Sequence, residues 1–511
     1  MTLLFSSDLH GRVGPVDPLS GQPTAGGVAR VATLLREARR REPTALYLDL
    51  GDLVQGTPLS TLAARERPEQ PHPLVRILNS MGCRGMVVGN HEFNFGLPFV
   101  EAMRQAADFP LLAANVLGPR GEPYFDPVLR FRQGGRTIAI LALTTPQVPR
   151  WEEPWNIEGL TFRDAVETAR EWVPKLRAEA DAVVVAAHMG WDGVTDGGFE
   201  TPLPPENDVG RLVREVDGID AVLMAHTHRF DEQRAANGTH VVQAGSGGLG
   251  LGELTFEWAP GAARPETRYQ LRRAAPYIAP AADVLELARE ATERIRPRLE
   301  GVIAHASGPF TLDGLRYRDN AILSLFHRVQ QKASRADLSS AVVFRGREEL
   351  AAGPIRGVDL FRIYPFENDL TILELSADDV RAYLEETALA YTGPAQNGSP
   401  PPLHPMLSLY NHDMLAGCEY LIDPGKPAGT RVESLTFGGE TLPGAERLTL
   451  AVTSYRAQGG GGYQALKRAR VVERTGRDLR SLLVDFVREA QVLEPIVFNN
   501  WRVRGAPDPG E

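Results

Sequence analysis

Five short segments in the first half of the chain place Asp, Asn or His directly after an apolar run. They are DLH with Asp8 and His10, GD with Asp52, GNHE with Asn90 and His91, AAHMG with His188, and AHTH with His226 and His228. This is the donor mixture that a pair of divalent cations requires: two ions about 3.5–4 Å apart need a carboxylate between them, with imidazole, amide and carboxylate ligands around it. Neutral imidazole and anionic carboxylate suit Mn2+, Zn2+ or Fe2+ better than Ca2+. In an extended segment, D-x-H and H-x-H turn alternate side chains to one face, so both can reach one ion. Each segment alone has a plainer reading. A lone D-x-H is a turn or a helix cap, a lone H-x-H is two partly exposed histidines, and His188 after VVVAA is a core imidazole. Five of the chain's eleven histidines fall in these segments, and that clustering favours one metal centre over five separate accidents.

Convergence needs the segments to end neighbouring strands. Runs of aliphatic and β-branched residues predict strands at Thr2–Ser6, Ala45–Leu50, Gly85–Val88, Leu111–Asn115, Thr137–Thr144, Ala182–Ala187, Ala221–Ala225 and His240–Ala244. Helical periodicity lies between them at Val28–Arg41, Pro73–Met81, Pro98–Ala107, Phe162–Glu179 and Glu206–Val216. Alternating strands and helices predict an α/β architecture, and ligands at strand ends meet at one sheet edge. Pro276–Ala306 differs: it opens Pro/Ala-rich and continues as a helical pattern interrupted by Pro297, which reads as a linker helix or an ordinary surface helix. From about residue 310 the pattern mixes helices and strands again, with Gly- and Pro-rich loops at Gly393–Pro405 and Gly459–Gly462.

A chain of 511 residues exceeds one ordinary core, so at least two domains are expected. We divide it into residues 1–275, a linker helix at 276–308, and 309–511. The formal charge of −10 argues against a nucleic-acid polymer as partner. Phosphate, if handled, must meet positive charge supplied locally by metal ions or a few Arg. The two cysteines, Cys83 and Cys418, are far apart and read as buried small hydrophobes. No apolar stretch reaches about 18 residues, so no membrane span is expected. The N-terminus has no basic segment followed by an apolar run, which predicts a cytoplasmic protein as written, or a periplasmic or secreted one if the start was trimmed.

The ordered set D-x-H, GD, GNHE, H and H-x-H resembles the calcineurin-like metallophosphoesterases. The resemblance implies a four-layered αββα sandwich holding two divalent metal ions (Mn2+, Zn2+, Fe2+ or Mg2+) and hydrolysis by a hydroxide bridging them. It implies Asp8, His10 and His228 on the first ion, Asn90, His188 and His226 on the second, and Asp52 between the two. His91 matches the family's catalytic His, which contacts the phosphate with Asn90 and supports the leaving oxygen.

Four later segments resemble the C-terminal substrate domain, a mixed α/β unit, of the 5′-nucleotidase and 2′,3′-cyclic-nucleotide 2′-phosphodiesterase family. They are RGREELAAGPI, LFRIYPFENDL, YNHDMLAGCEYLID and TSYRAQGGGGY. They imply a small nucleotide as substrate, with Arg347 pairing with it and Tyr455 stacking on the base opposite Phe366 or Tyr410. A base between two rings gains about 1–3 kcal/mol whatever its identity. Two details separate subfamilies. Asn94 stands in GNHEFNFG where 5′-nucleotidases carry an Asp beside the catalytic His, and Gly461 stands in GGGG where they carry a sugar-contacting Asp. Together with Asn499–Trp501, these resemble the cyclic phosphodiesterase/3′-nucleotidase branch. A 5′-nucleotidase, another sulfur- or phosphoester hydrolase on the same scaffold, and a non-catalytic binding protein are the alternatives.

Overall fold

The computed structural model describes residues 1–66, 70–192, 204–405 and 409–506. The chain divides into two compact units, the first running to Ile295 and the second starting at Arg296.

Two six-stranded sheets form the first unit. In one, Thr2–Ser6, Leu46–Asp49, Cys83–Val87 and Leu111–Leu112 run parallel, with Gly250–Glu257 and Glu266–Arg273 added antiparallel at one side. In the other, Arg136–Thr144, Ala182–His188, Ala221–Met224 and His240–Ala244 run parallel between antiparallel edges Val128–Gln133 and Phe230–Arg234. Leu3, Phe5, Leu48 and Val87 of the first sheet share one core with Ile140, Ala142, Val184 and Leu223 of the second. The opposite face of the second sheet packs on helices Ala165–Glu179 and Val209–Glu215 through Val166, Val173, Leu212 and Val213. Helix Val28–Arg41 covers the first sheet with Val28, Val31, Leu34 and Leu35, and its last turn, Arg39–Arg41, opposes the helix dipole favourably. The expected αββα layering is therefore present. Strands such as Ala182–His188 are buried at every residue, which is why they read as unbroken apolar runs.

Departures from expectation have local causes. Helix Ala165–Glu179 starts three residues late, because Asp164 caps it by accepting from Val166 N and Glu167 N, while Thr161–Phe162 forms a short strand. The four antiparallel strands absent from our sequence reading are mostly half solvated; ETRYQLRR and FDEQR carry too few apolar residues to stand out. Pro297 does not interrupt its helix, which runs over Ala282–Glu300; Val302–Ala306 beyond it is a strand.

In the second unit a five-stranded sheet, ordered Met414–Ala416, Leu338–Ala341, Arg447–Thr453, Asp369–Ser376 and Arg470–Asp478, packs with helices Ala321–Ser334, Ala377–Ala388 and Leu479–Ala490. Two three-stranded sheets complete it. Cys83 and Cys418 are free and buried. Among the described residues no helix is long and apolar enough to cross a membrane.

Candidate metal centre

The five motifs lie at the C-terminal ends of parallel strands in the two sheets of the first unit. Asp8, Asp52 and Asn90 follow Thr2–Ser6, Leu46–Asp49 and Cys83–Val87; His188 ends its strand, and His226 follows Ala221–Met224. D-x-H and H-x-H are not extended, contrary to expectation. Asp8, His10, Asp52, His226 and His228 all adopt left-handed backbone, with φ of 51°, 48°, 54°, 71° and 58°. Asp, Asn and His tolerate that region better than most residues. The loops brace one another: Asp8 N donates to Gly51 O, His10 N to Asp52 O, and His226 N to the Asp8 carboxylate at 3.0 Å. Gly89 is obligatory, because a Cβ there would sit 2.3 Å from Asp52 Oδ1 and 2.7 Å from His188 Cε1.

Two ligand groups result, and Asp52 belongs to both. Ligand atoms of Asp8, His10, Asp52 and His228 lie within 4.8 Å of one another, and so do those of Asp52, His188 and His226. His10 Nε2 and His228 Nε2 approach to 2.9 Å, and His188 Nε2 lies 3.1 Å from Asp52 Oδ2. Hydrogen bonds orient the rings. His10 Nδ1 faces Gln55 O at 3.0 Å and His188 Nδ1 faces Leu50 O at 2.6 Å, so each carries its proton there and aims an Nε2 lone pair inward. His226 Nε2 pairs with Glu206 Oε1 at 2.8 Å, which leaves Nδ1 as its donor atom. Asn90 is buried, and its Oδ1 has no hydrogen-bond partner among the described residues. Such a donor set, with two imidazole nitrogens converging and a buried amide oxygen unmatched, fits a pair of divalent cations.

Burial holds His10 down at about 3 and lowers His228, which favours the neutral ring form that a cation would need. Asp52 stays well below the usual carboxylate range: burial opposes its charge, but His188, His91 and His10 outweigh burial. Burial likewise opposes a charge on His188, and Asp52 and Asp8 lift it to about 10.

Three carboxylates outside the expected set support the site. Glu92 accepts backbone N–H groups from Gly89, Asp52 and Leu53 at 2.7, 3.0 and 2.8 Å, tying two ligand loops together. Its place inside GNHE was the one signal that could have found it. Glu206 orients His226, and Glu152 accepts from the Asn94 amide, whose Oδ1 lies 2.7 Å from His91 Nδ1. Burial raises Glu152 to about 7. Neither PEND nor WEEP marks these two in sequence. His91 Nε2 lies 4.0 Å from Asp52 Oδ2, so this ring faces the ligand cluster.

Residues 1–230 match the calcineurin-like phosphoesterase family, and residues 302–468 match the 5′-nucleotidase C-terminal domain. The chain belongs to the calcineurin-like phosphoesterases that carry a 5′-nucleotidase C-terminal domain. It is a metal-dependent phosphoester hydrolase. The trifunctional nucleotide phosphoesterase protein YfkN of Bacillus subtilis (strain 168) is 26% identical over 98% of this chain, which spans 39% of that protein's length. The 2′,3′-cyclic-nucleotide 2′-phosphodiesterase/3′-nucleotidase of Yersinia enterocolitica is 26% identical, over 98% of this chain and 88% of that one. A Staphylococcus aureus protein assigned to the 5′-nucleotidases, crystallised with alpha-ketoglutarate, shares the fold with a TM-score of 0.87, at 24% identity over 98% of this chain and 99% of that one.

In the 5′-nucleotidase C-terminal unit, the motif segments fall into two arrangements. Tyr410 and Tyr455 lie in segments welded together by the buried Arg456, which pairs with Asp413 at 2.6 Å and donates to Tyr410 O at 2.7 Å and to Gly460 O. Tyr383, Ser340 and Tyr463 complete this network. Gly461 sits inside it at φ 81°, and a Cβ there would lie 1.8 Å from Arg456 Nη1. Phe366 is 42% exposed and lies against Phe344, with ring centroids 5.2 Å apart and planes tilted by 55°. Arg347 is exposed on the loop before Gly353–Arg356. Asn499 and Asn500 have structural duties: Asp319 receives Asn499 N at 3.3 Å, and Asn500 Nδ2 donates to Leu415 O and Cys418 O.

Proposed function

We propose that this phosphoesterase hydrolyses nucleotide phosphoesters, with 2′,3′-cyclic nucleotides and 3′-monoesters preferred over 5′-monoesters. The observation that carries the metal-centre part is Asp52, shared between two ligand groups. Asp8, His10 and His228 would hold one ion and Asn90, His188 and His226 the other. Two divalent ions there would neutralise phosphoryl charge and lower the pKa of a water enough to make a nucleophile near neutral pH. Asn90 and His91 add hydrogen-bond donors to the phosphoryl oxygens. His91, with Nδ1 held by Asn94, presents Nε2 to the departing oxygen as a general acid. Tyr455 and either Phe366 or Tyr410 would flank the base, and Arg347 would pair with the nucleotide's anionic end.

The preference for cyclic substrates is supported by Arg456. Its guanidinium fills the space an Asp at position 461 would need, so the sugar contact of 5′-nucleotidases has no room. The 5′-nucleotidase reading remains the second one, favoured by the family of residues 302–468. The test assays 2′,3′-cyclic AMP, 3′-AMP and 5′-AMP side by side with added Mn2+ and measures bound metal. The cyclic and 3′ substrates should show the higher kcat/KM, and a preference for 5′-AMP would sink the proposal. Asp52→Asn should abolish turnover on all three, and near-wild-type activity in that variant would overturn the metal assignment. Tyr455→Ala should lose nucleotide turnover while keeping that of a small phosphodiester; equal losses on both would refute base stacking.

A further inference from the structure

His91 is backed by an amide where a histidine with acid–base work commonly has a carboxylate. The carboxylate is present one residue further out. Asn94 Oδ1 faces His91 Nδ1 at 2.7 Å, and Asn94 Nδ2 donates to Glu152 Oε1. The second Glu152 oxygen accepts from Asn156 Nδ2 at 3.0 Å, and the same Nδ2 reaches Asn94 O at 3.4 Å. Glu152 is buried, at 4% exposure, so water does not compete for its oxygens.

The two ends of an amide differ only through their partners. Both Glu152 oxygens act as acceptors, Oε1 from Asn94 and Oε2 from Asn156, so Glu152 takes the NH2 end of Asn94 and leaves Oδ1 for His91. That choice decides what His91 can do. With Oδ1 opposite, Nδ1 carries a hydrogen, and a doubly protonated ring can release the Nε2 proton and remain a neutral imidazole. With the amide reversed, Nδ2–H would donate to Nδ1, Nε2–H would be the only ring proton, and its loss would leave an imidazolate. We infer that Glu152 is a positioning residue for phosphoester cleavage, acting through Asn94 to hold His91 in the form that can protonate the leaving oxygen. In the step, the P–O bond breaks with its electron pair on the ester oxygen. That oxygen takes the Nε2 proton, and the proton lost by the attacking water balances it. The inference rests on the phosphoesterase reading of the metal centre.

The test compares two diesters on Mn2+-loaded enzyme: 2′,3′-cyclic AMP, whose leaving alkoxide needs a proton, and bis-p-nitrophenyl phosphate, whose phenolate does not. Glu152→Gln, whose amide lets Asn94 reverse, should lower kcat on the cyclic nucleotide by about 10–100-fold and on the nitrophenyl ester far less. Asn94→Asp should rescue it, because the carboxylate then contacts His91 directly; the double variant should return to within about tenfold of wild type. Bound metal and melting temperature are recorded for each protein and should stay near wild type. Equal losses on both esters, or no rescue by Asn94→Asp, would make Glu152 a structural residue and overturn the inference. Should Glu152→Gln fail to fold, Asn94→Leu must show the same split between esters, and a uniform loss there overturns it too. A wild type that binds Mn2+ yet cleaves neither ester overturns the phosphoesterase reading itself. Cleavage of both by wild type and equally by Glu152→Gln overturns only the positioning role.

Discussion

Glu92→Gln asks whether hydrogen bonds between loops, and not the metal ligands alone, hold the centre together. Glu92 is wholly buried. Its Oε2 accepts from Gly89 N and Asp52 N, and its Oε1 accepts from Leu53 N. Burial and the Asp52 carboxylate push Glu92 up, while Leu53 N–H, His188 and Asp52 N–H pull it back. No arrangement of a glutamine amide satisfies three donors on two sides. Turned to spare the Oε2 pair, its NH2 meets Leu53 N–H, donor against donor; turned the other way, it loses two bonds. A hydrogen bond to a charged acceptor contributes about 1.5–3 kcal/mol, and a buried N–H left unmatched costs about 1–3 kcal/mol. The low end of each gives a loss of about 2.5 kcal/mol. For a unit of this size that corresponds to a fall of about 5 °C in its melting temperature. Because Asp52 N is one of the three donors, Mn2+ affinity should also fall, by about 10–100-fold. Calorimetric melts with and without Mn2+, together with Mn2+ titration calorimetry, measure both effects. Unchanged melting with unchanged Mn2+ binding would show that the ligand loops do not depend on this carboxylate.

Gly89→Ala should fold less stably and lose Mn2+ binding, because its Cβ would displace Asp52 Oδ1 and His188 Cε1 together; wild-type Mn2+ affinity in that variant would contradict the packing. Burial holds His72, His327 and His412 down at about 4, 3 and 3, against about 6.5 in an unfolded chain. Between those values the unfolded state binds more protons, so stability should rise with pH across that window and be lost as pH falls from about 6.5 toward 4. Denaturant titrations at a series of pH values should show this slope, and His327→Asn should flatten part of it; an identical slope in the variant would refute the assignment.

The clustered donor residues were legible because they combine rare chemistry with a clear position, Asp or His directly after an unbroken apolar run. The parallel strands were legible for the same reason, since burial on both faces leaves a continuous apolar record. What escaped is held by tertiary contact. Glu152 and Glu206 lie in segments of no periodicity and acquire meaning only where Asn94 and His226 reach them. Edge strands such as Glu266–Arg273 keep one solvated face and so lack the composition of a strand. The role of Arg456 was equally hidden: TSYRAQGGGGY shows a basic residue before a glycine run, not that its guanidinium lies against Gly461 and pairs with Asp413.

The left-handed ligands carry a consequence for how the centre forms. Eleven non-glycine residues among those described have positive φ, and five are expected metal ligands. Each such residue costs about 1–3 kcal/mol unless its surroundings determine it. The surroundings do so through backbone bonds: Asp8 N, His10 N and Gly11 N bond to Gly51 O, Asp52 O and Leu53 O, and Gly247 N returns to Asp8 O. The Asp8 loop is thus laced to the Asp52 loop, and His91 N reaches Asp52 Oδ1 at 2.9 Å from a third. Strain at the ligands is offset by bonds between their own loops, so the donor atoms are arranged by folding.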